Sequence, residues 1–216
     1  MRLEFFQVKI MNDIKIFTSF TTSNCYVVTP DNSGVCYLID LPPDLDETLN
    51  YIRIKNLSIG GAFVTHGHYD HSLGMKEIKS NIFMNLDDEF LARNPQDQIG
   101  KILNGLFLEQ YEGEILDINS HQFDFLKVYS NPGHTVGSVS FEFPNLGAIF
   151  TGDFVFKESI GRTDLYSGDI KSMKDSINNV FVNFDKSFDI FPGHGEYDSV
   201  GNILNNNVIL KDLLDD

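Results

Sequence analysis

Short apolar stretches separated by turn residues recur along the chain, a pattern of strands with only a few amphipathic helices between them. Residues 2–10 alternate in part and predict a strand, closed by a turn at Asn12-Asp13. A second strand is predicted over 14–20. Two more follow at 24–28 (Asn-Cys-Tyr-Val-Val) and 35–39 (Val-Cys-Tyr-Leu-Ile), joined by the turn Pro30-Asp31-Asn32-Ser33-Gly34. The N-terminal part therefore reads as a β-meander that becomes apolar and central. Asp40 ends the last of these strands and Pro42-Pro43 breaks the chain. Asp44, with Glu47 three residues on, predicts a capped helix through Leu45, Leu49, Ile52 and Ile54 to about Lys55. A strand over 59–64, a short helix over 75–79 and a short strand over 81–85 come next. From there strand and helix alternate, which predicts parallel pairing.

Residues 86–110 are helical but weakly periodic, around Phe90-Leu91 and over 99–108, and read as a wall or lid. Residues 121–130 predict a strand with Phe123, Phe125 and Val128 as its apolar members. Residues 139–143 and 148–151 predict a hairpin about Pro144-Asn145. Over 170–184 a helix is expected, with Met173, Ile177, Val180 and Phe181 on one face. Residues 188–191 form the last expected strand, and Ser199 caps a closing helix through Leu204. A β-rich stretch recurs before each group of helices, which implies two similar halves. No long linker divides them, so residues 1–216 are expected to form one domain of the α/β class.

Composition narrows the function. The formal net charge is −15. Such a chain is unsuited to nucleic acid, where phosphate neutralisation needs Lys and Arg on one face, and to an anionic membrane surface. Bound cations would offset part of the excess. Cys25 and Cys36 have no C-x-x-C spacing, and about the 30–34 turn Cys25 faces the region of Ile39, not Cys36; both are expected as buried free thiols. The first residues lack a signal-peptide pattern, and no apolar run approaches the ~18 residues of a membrane span. A cytoplasmic protein is the expectation.

The candidate chemistry is concentrated in Thr65-His66-Gly67-His68-Tyr69-Asp70-His71, between a strand and a helix. On an extended strand end, His66 and His68 share one side, while Asp70 and His71 fall in the turn. That arrangement suits two neighbouring ions better than one. His134, Asp153 and His194 each follow an apolar strand and a glycine (Gly133, Gly152, Gly193), which permits the close backbone approach that crowds ligands. The sixth histidine, His121, stands alone and reads as structural. Seven candidate ligands exceed what one four-coordinate zinc needs. They suit two divalent ions about 3.5–4 Å apart with a bridging carboxylate and water. His66, His68 and His134 are expected at the first ion, Asp70, His71 and His194 at the second, with Asp153 as the bridge. Without thiolate ligands, zinc, iron or manganese fits, zinc foremost.

Together these motifs resemble the metallo-β-lactamase superfamily over about residues 20–200. Asp40 matches the acidic residue that family carries after an apolar strand, although the usual proline and glycine are replaced by Leu41-Pro42. The resemblance implies a four-layer αβ/βα sandwich with the metals at one edge. Phe156-x-x-Ser159-Ile160-Gly161-Arg162-Thr163-Asp164-Leu165, the ending from Gly195 to Asn207, and the 24–28 strand look like the glyoxalase II-like group. Arg162 and Asp164 are expected to form a local ion pair. Full-length glyoxalase II adds a helical C-terminal domain with basic groups for glutathione. Here about twenty residues follow His194, with Lys211 against five acidic residues, so no such clamp is expected.

The resemblance implies a metal-dependent hydrolase of a small molecule, a thioester or similar acyl compound, attacked by a metal-bridging hydroxide with Asp70 as proton acceptor. Two alternatives share the fold: a persulfide dioxygenase with one iron on two histidines and one aspartate, and a lactonase.

Overall fold

A computed structural model describes residues 13–99 and 108–215. The predicted strand over 2–10, Asn12 of the following turn and most of the 99–108 helix lie outside the described residues. Eleven strands among the described residues form two sheets. The first has the order β1-β2-β3-β4-β5-β6: Ile14–Thr18, Asn24–Val28, Val35–Ile39, Ser58–Phe63, Ile82–Met84 and Leu116–Asp117. The second has the order β11-β10-β9-β8-β7, where β7 is Lys127–Ser130, β8 Val139–Phe143, β9 Ala148–Gly152, β10 Asp189–Pro192 and β11 Asp198–Ser199.

The two-residue period of a strand decides what lies between the sheets. Tyr26, Val28, Ile39 and Phe63 point inward and meet Phe141, Phe143, Phe150 and Phe191 of the second sheet. Their alternates point outward. Cys25, Val27, Leu38 and Ala62 pack beneath helix α1 (Asp46–Ile54). Ile149 and Ile190 pack beneath α5 (Ile170–Asn179), α6 (Val200–Asn206) and α7 (Val208–Asp215). Central strands buried on both faces are why β2 and β9 read as near-continuous apolar runs, while β8, equally buried, alternates Ser140 and Glu142 with its apolar residues. The result is the expected α/β sandwich of four layers, helix–sheet–sheet–helix. Cys25 and Cys36 are buried free thiols. No helix among the described residues is long and apolar enough to cross a membrane.

The halves repeat. In each sheet three antiparallel strands lead to a fourth that runs parallel to the third: β1-β2-β3 then β4, and β7-β8-β9 then β10. A helix makes each crossover, α1 before β4 and α5 before β10. Consequently β3 and β4 end on one edge of the first sheet, and β7, β9 and β10 on one edge of the second.

Several expectations are corrected. Asp44 does not cap α1, whose N-cap is Leu45 without a side-chain bond. Its carboxylate instead accepts from Ser19 Oγ and from Phe20 N at 3.2 Å, tethering the β1–β2 loop, while Asp46 and Glu47 meet the positive end of the helix. The strand expected over 121–130 is only Lys127–Ser130; Phe123 and Leu126 pair across a tight turn, from which Phe123 and Phe125 enter the inter-sheet core. The helix over 170–184 stops at Asn179, whose carbonyl takes the Asn183 side chain, and a 3-10 turn follows over Phe181–Asn183. Strands β6 and β11 and helix α7 have no counterpart in the sequence reading. Ser199 does cap α6, accepting from Asn202 N.

Phe63 is fully buried, and its ring centroid lies 5.2–5.6 Å from those of Phe83, Phe123 and Phe141. Phe63→Ala should therefore cost about 3–5 kcal/mol in urea unfolding, with little change in the slope against urea.

Candidate metal centre

The 66–71 loop leaves the end of β4 and enters the one-turn helix α2 (Tyr69–Ser72). Asp40, at the end of the neighbouring β3, organises it. The residue sits in the left-handed region at φ 58°, with its carboxylate turned into the buried edge. Oδ1 accepts Thr65 N at 2.7 Å, and Oδ2 accepts Thr65 Oγ1 and His71 Nδ1, both at 2.9 Å. Thr65 Oγ1 has then used its only proton, so it receives the Nδ1 proton of His66 at 3.0 Å. His66 therefore presents Nε2 with its lone pair.

The same logic orients the other rings. His134 Nδ1 donates to the Arg162 carbonyl at 2.7 Å, which leaves Nε2 bare. His194 Nδ1 lies 3.1 Å from Thr22 Oγ1, and Thr22 itself adopts φ 68°, a costly conformation for a β-branched residue. Asn24 Nδ2 and Tyr26 Oη hold the Pro192 carbonyl beneath that loop.

All seven predicted side chains converge. Ring nitrogens of His66, His68 and His134 form one group. Asp70, His71 and His194 form another, and His66, His71 and Asp153 a third; within each group the atoms lie within 4.8 Å of one another. His68 Nδ1 is 2.8 Å from His134 Nε2, and His71 Nε2 is 3.3 Å from His194 Nε2. Asp153 stands between them: Oδ1 is 3.4 Å from His71, and Oδ2 is 3.6 Å from both His134 and His194. A Cβ on Gly193 would stand 2.2 Å from Asp153 Oδ1, and one on Gly152 2.3 Å from Thr65 Oγ1, so only glycine fits at either place. His66 Nε2 and Asp153 Oδ1 are buried without a hydrogen-bond partner. Buried polar atoms are almost always satisfied, so two orphaned ligand atoms in a ring of imidazoles and carboxylates fit a cation.

The electrostatics divide the ring. Burial, reinforced by His71, His134 and His68, drives His66 well below the ordinary histidine value. Burial with His134 and His71 takes His68 to about 3. Both are thus neutral, the form that ligates. His71 behaves oppositely: burial opposes its charge, but Asp153, Asp40 and Asp70 outweigh it and push the ring up to about 10. For Asp70, burial is overcome by the His194 hydrogen bond and the His71 charge, which hold the carboxyl well below the usual range.

A sequence model of the metallo-β-lactamase superfamily matches residues 18–194. The chain belongs to the metallo-β-lactamase superfamily. The chain is 28% identical over 201 residues to the hydroxyacylglutathione hydrolase GloC of Haemophilus influenzae, covering 87% of this chain and 92% of the relative. It is 28% identical over 188 residues to an uncharacterized protein of Aquifex aeolicus, covering 82% and 87%. Among solved structures, the BLEG-1 B3 metallo-β-lactamase superposes with TM-score 0.83 at 22% identity, covering 91% of this chain and 99% of that one. TTHA1623 in a di-iron-bound form gives 0.79 at 22%, covering 90% and 98%. Metallo-β-lactamase superfamily proteins bind metal ions and are mostly hydrolytic.

His121 lies outside the cluster, exposed, with Nδ1 on the Asp117 carbonyl. Arg162 and Asp164 form the expected ion pair, Nε–Oδ1 2.7 Å, on the exposed rim. The sequence reading missed Asp88, Gln98 and Thr22, none of which has a local motif.

Asp40 is 1% exposed and carries three donors, so Asp40→Ala strands an imidazolium and a backbone N–H. In the metal-free protein this should cost about 3–5 kcal/mol at mildly acidic pH. Because the folded pKa of His71 is raised above its unfolded value of 6.5, its stabilisation is complete below that pH and fades as pH climbs toward about 10. Urea titrations across that window should show a shallower loss of stability for Asp40→Ala than for the wild type.

Proposed function

We propose that this chain is a binuclear metallohydrolase of thioesters or closely related acyl compounds, contained in one domain. The observation that carries the reading is the convergence of seven imidazole and carboxylate groups into overlapping triads around two orphaned buried ligand atoms. His66, His68 and His134 would hold one ion, Asp70, His71 and His194 the other, and Asp153 would bridge them; zinc is the first choice, with iron or manganese as fitting alternatives. When bound, such a pair supplies Lewis acidity and lowers the pKa of a water toward neutrality.

The chain supplies the rest. Two cavities, of about 420 and 720 Å³, open on the centre and share Asp153, Arg162 and His194. Leu91, Leu165 and Tyr166 line the first, and Phe156, Ser159 and Ile160 the second. They suit the two halves of a thioester, with its carbonyl at their junction. Asp70 Oδ2, 3.3 Å from His194 Nε2 and 3.6 Å from His71 Nε2, would accept the proton of the attacking water. Water adds across the C–S bond to give a carboxylic acid and a thiol. The thiolate leaves without a strong general acid because thiols are acidic enough to depart as anions.

Charge at the rim constrains the thiol. Lys157 pairs with Glu196 at 2.8 Å and Arg162 with Asp164, while Glu158 and Asp97 add further negative charge. A carrier such as glutathione finds its cations already matched there. Thioesters of small uncharged thiols should therefore show higher kcat/KM than lactoylglutathione. Glu196→Gln, which frees Lys157, should narrow that gap by up to about fivefold, the range of an exposed ion pair.

His66→Ala, His68→Ala and Asp153→Ala should each lose bound metal and turnover together, measured by metal analysis beside a thioester assay. Full activity in any of them would sink the reading. A panel adding a lactone and a persulfide separates the alternatives: one iron with oxygen uptake would identify a dioxygenase, and preferred lactone opening a lactonase.

A further inference from the structure

Asp88 is the N-cap residue of helix α3 (Glu89–Arg93), a position where aspartate usually accepts from the first turn of its own helix. Here it makes no such bond. The side chain is fully buried and turned the other way, toward the metal centre. Oδ2 accepts Gly67 N at 2.9 Å and Thr135 Oγ1 at 2.6 Å; Oδ1 accepts Gly137 N at 2.8 Å. Gly67 lies between His66 and His68. Thr135 directly follows His134, and Gly137 lies two residues further on. One carboxylate thus ties together the two loops, far apart along the chain, that supply the His66–His68–His134 group.

The surrounding packing is built for this contact. A Cβ on Gly67 would stand 2.5 Å from the Asp88 carbonyl oxygen, and one on Gly137 2.6 Å from Asp88 Cγ. Both loops therefore approach Asp88 at glycine. A second strap comes from α4 (Pro95–Ile99): Gln98 Oε1 accepts Tyr69 N at 2.9 Å, and its Nε2 donates to the carbonyls of Gly67 and Leu91. The insert that walls the smaller cavity is thereby joined to the metal loop by both side chains. None of these bonds reaches the Asp70–His71–His194 group, whose rings are held by Asp40 and Thr22.

We propose that Asp88 is the positioning residue of the His66–His68–His134 group: it fixes the spacing of the two loops and so sets the affinity of that group, and not of the other, for its ion. The inference rests on the reading of the seven side chains as ligands. It goes beyond that reading by giving the His66–His68–His134 group a support of its own, beside the Asp40 network that reaches both groups. Asp88 touches no ligand ring, so its effect runs through the backbone on either side of His68 and His134.

The experiment uses the full chain, loaded with zinc and then equilibrated against a chelator of known affinity, with bound metal counted per chain. Asp88→Asn keeps the volume but turns an amide NH2 toward backbone N–H donors. It should weaken one ion by about 10–100-fold, the effect of losing an outer-shell partner, and leave the other at wild-type affinity. Combining it with His68→Ala should cause no loss beyond His68→Ala alone. Combining it with His194→Ala should release both ions. Thr135→Val, which removes one of the three donors and preserves shape, should weaken the same ion by a smaller factor, and it decides the matter if Asp88→Asn does not fold. Wild-type affinity at both sites in a folded variant, or equal weakening of both, overturns the assignment. A wild-type chain that takes up no zinc, iron or manganese overturns the ligand reading itself and this inference with it.

Discussion

A buried carboxylate hydrogen-bonded to a buried imidazole is the contact on which the rest of the centre depends. Asp40 meets His71 Nδ1 at 2.9 Å with both side chains sealed from water. Isolated, either polar group would be expensive there. Together, with Thr65 supplying two more hydrogen bonds to the carboxylate, they are compensated. The same carboxylate sets the tautomer of His66 through Thr65, so one side chain aims ligand candidates of two different groups. Its backbone sits at φ 58°. That strained turn lets the acid leave β3 and reach across the end of β4, in keeping with strain being concentrated at functional sites.

The layered architecture makes this arrangement possible. Strands that alternate inward and outward residues bury both faces, and the ligand candidates sit beyond their ends. Because β3 and β4 run parallel, as do β9 and β10, their C-terminal ends share an edge, the usual place for sites in open α/β sheets. Val139 N donates to the Thr65 carbonyl at 2.9 Å and Asn24 N to the Gly193 carbonyl at 2.7 Å, holding the two edges face to face.

Much of this was legible in the sequence, for identifiable reasons. The 24–28 and 35–39 runs coincide with β2 and β3 because a Pro-Asp-Asn-Ser-Gly turn isolates them. Four of the seven candidate ligands stood out as a cluster over 66–71, and the other three because each follows an apolar strand at a glycine. What stayed hidden depends on partners distant in the chain. Asp44 has the spacing of a cap, but its hydrogen bonds go to Ser19 and Phe20. The Phe123–Phe125 alternation looks like a strand, yet these rings fill the open end of the sandwich from a turn. Helix α7 starts with Val208 and Ile209 facing outward and Leu210 buried, which blurs its period. Asp88 has no local signature, since its three donors come from residues 21 to 49 positions away.

The repeated halves do not contribute separate centres. The first provides His66, His68, Asp70 and His71, the second His134, Asp153 and His194, and each of the three groups draws on both. An ion held by any of them would be a rivet through the seam, drawing two sandwiched layers together where their apolar filling ends. Cohesion of the sandwich and chemistry at its rim would then share one source of free energy.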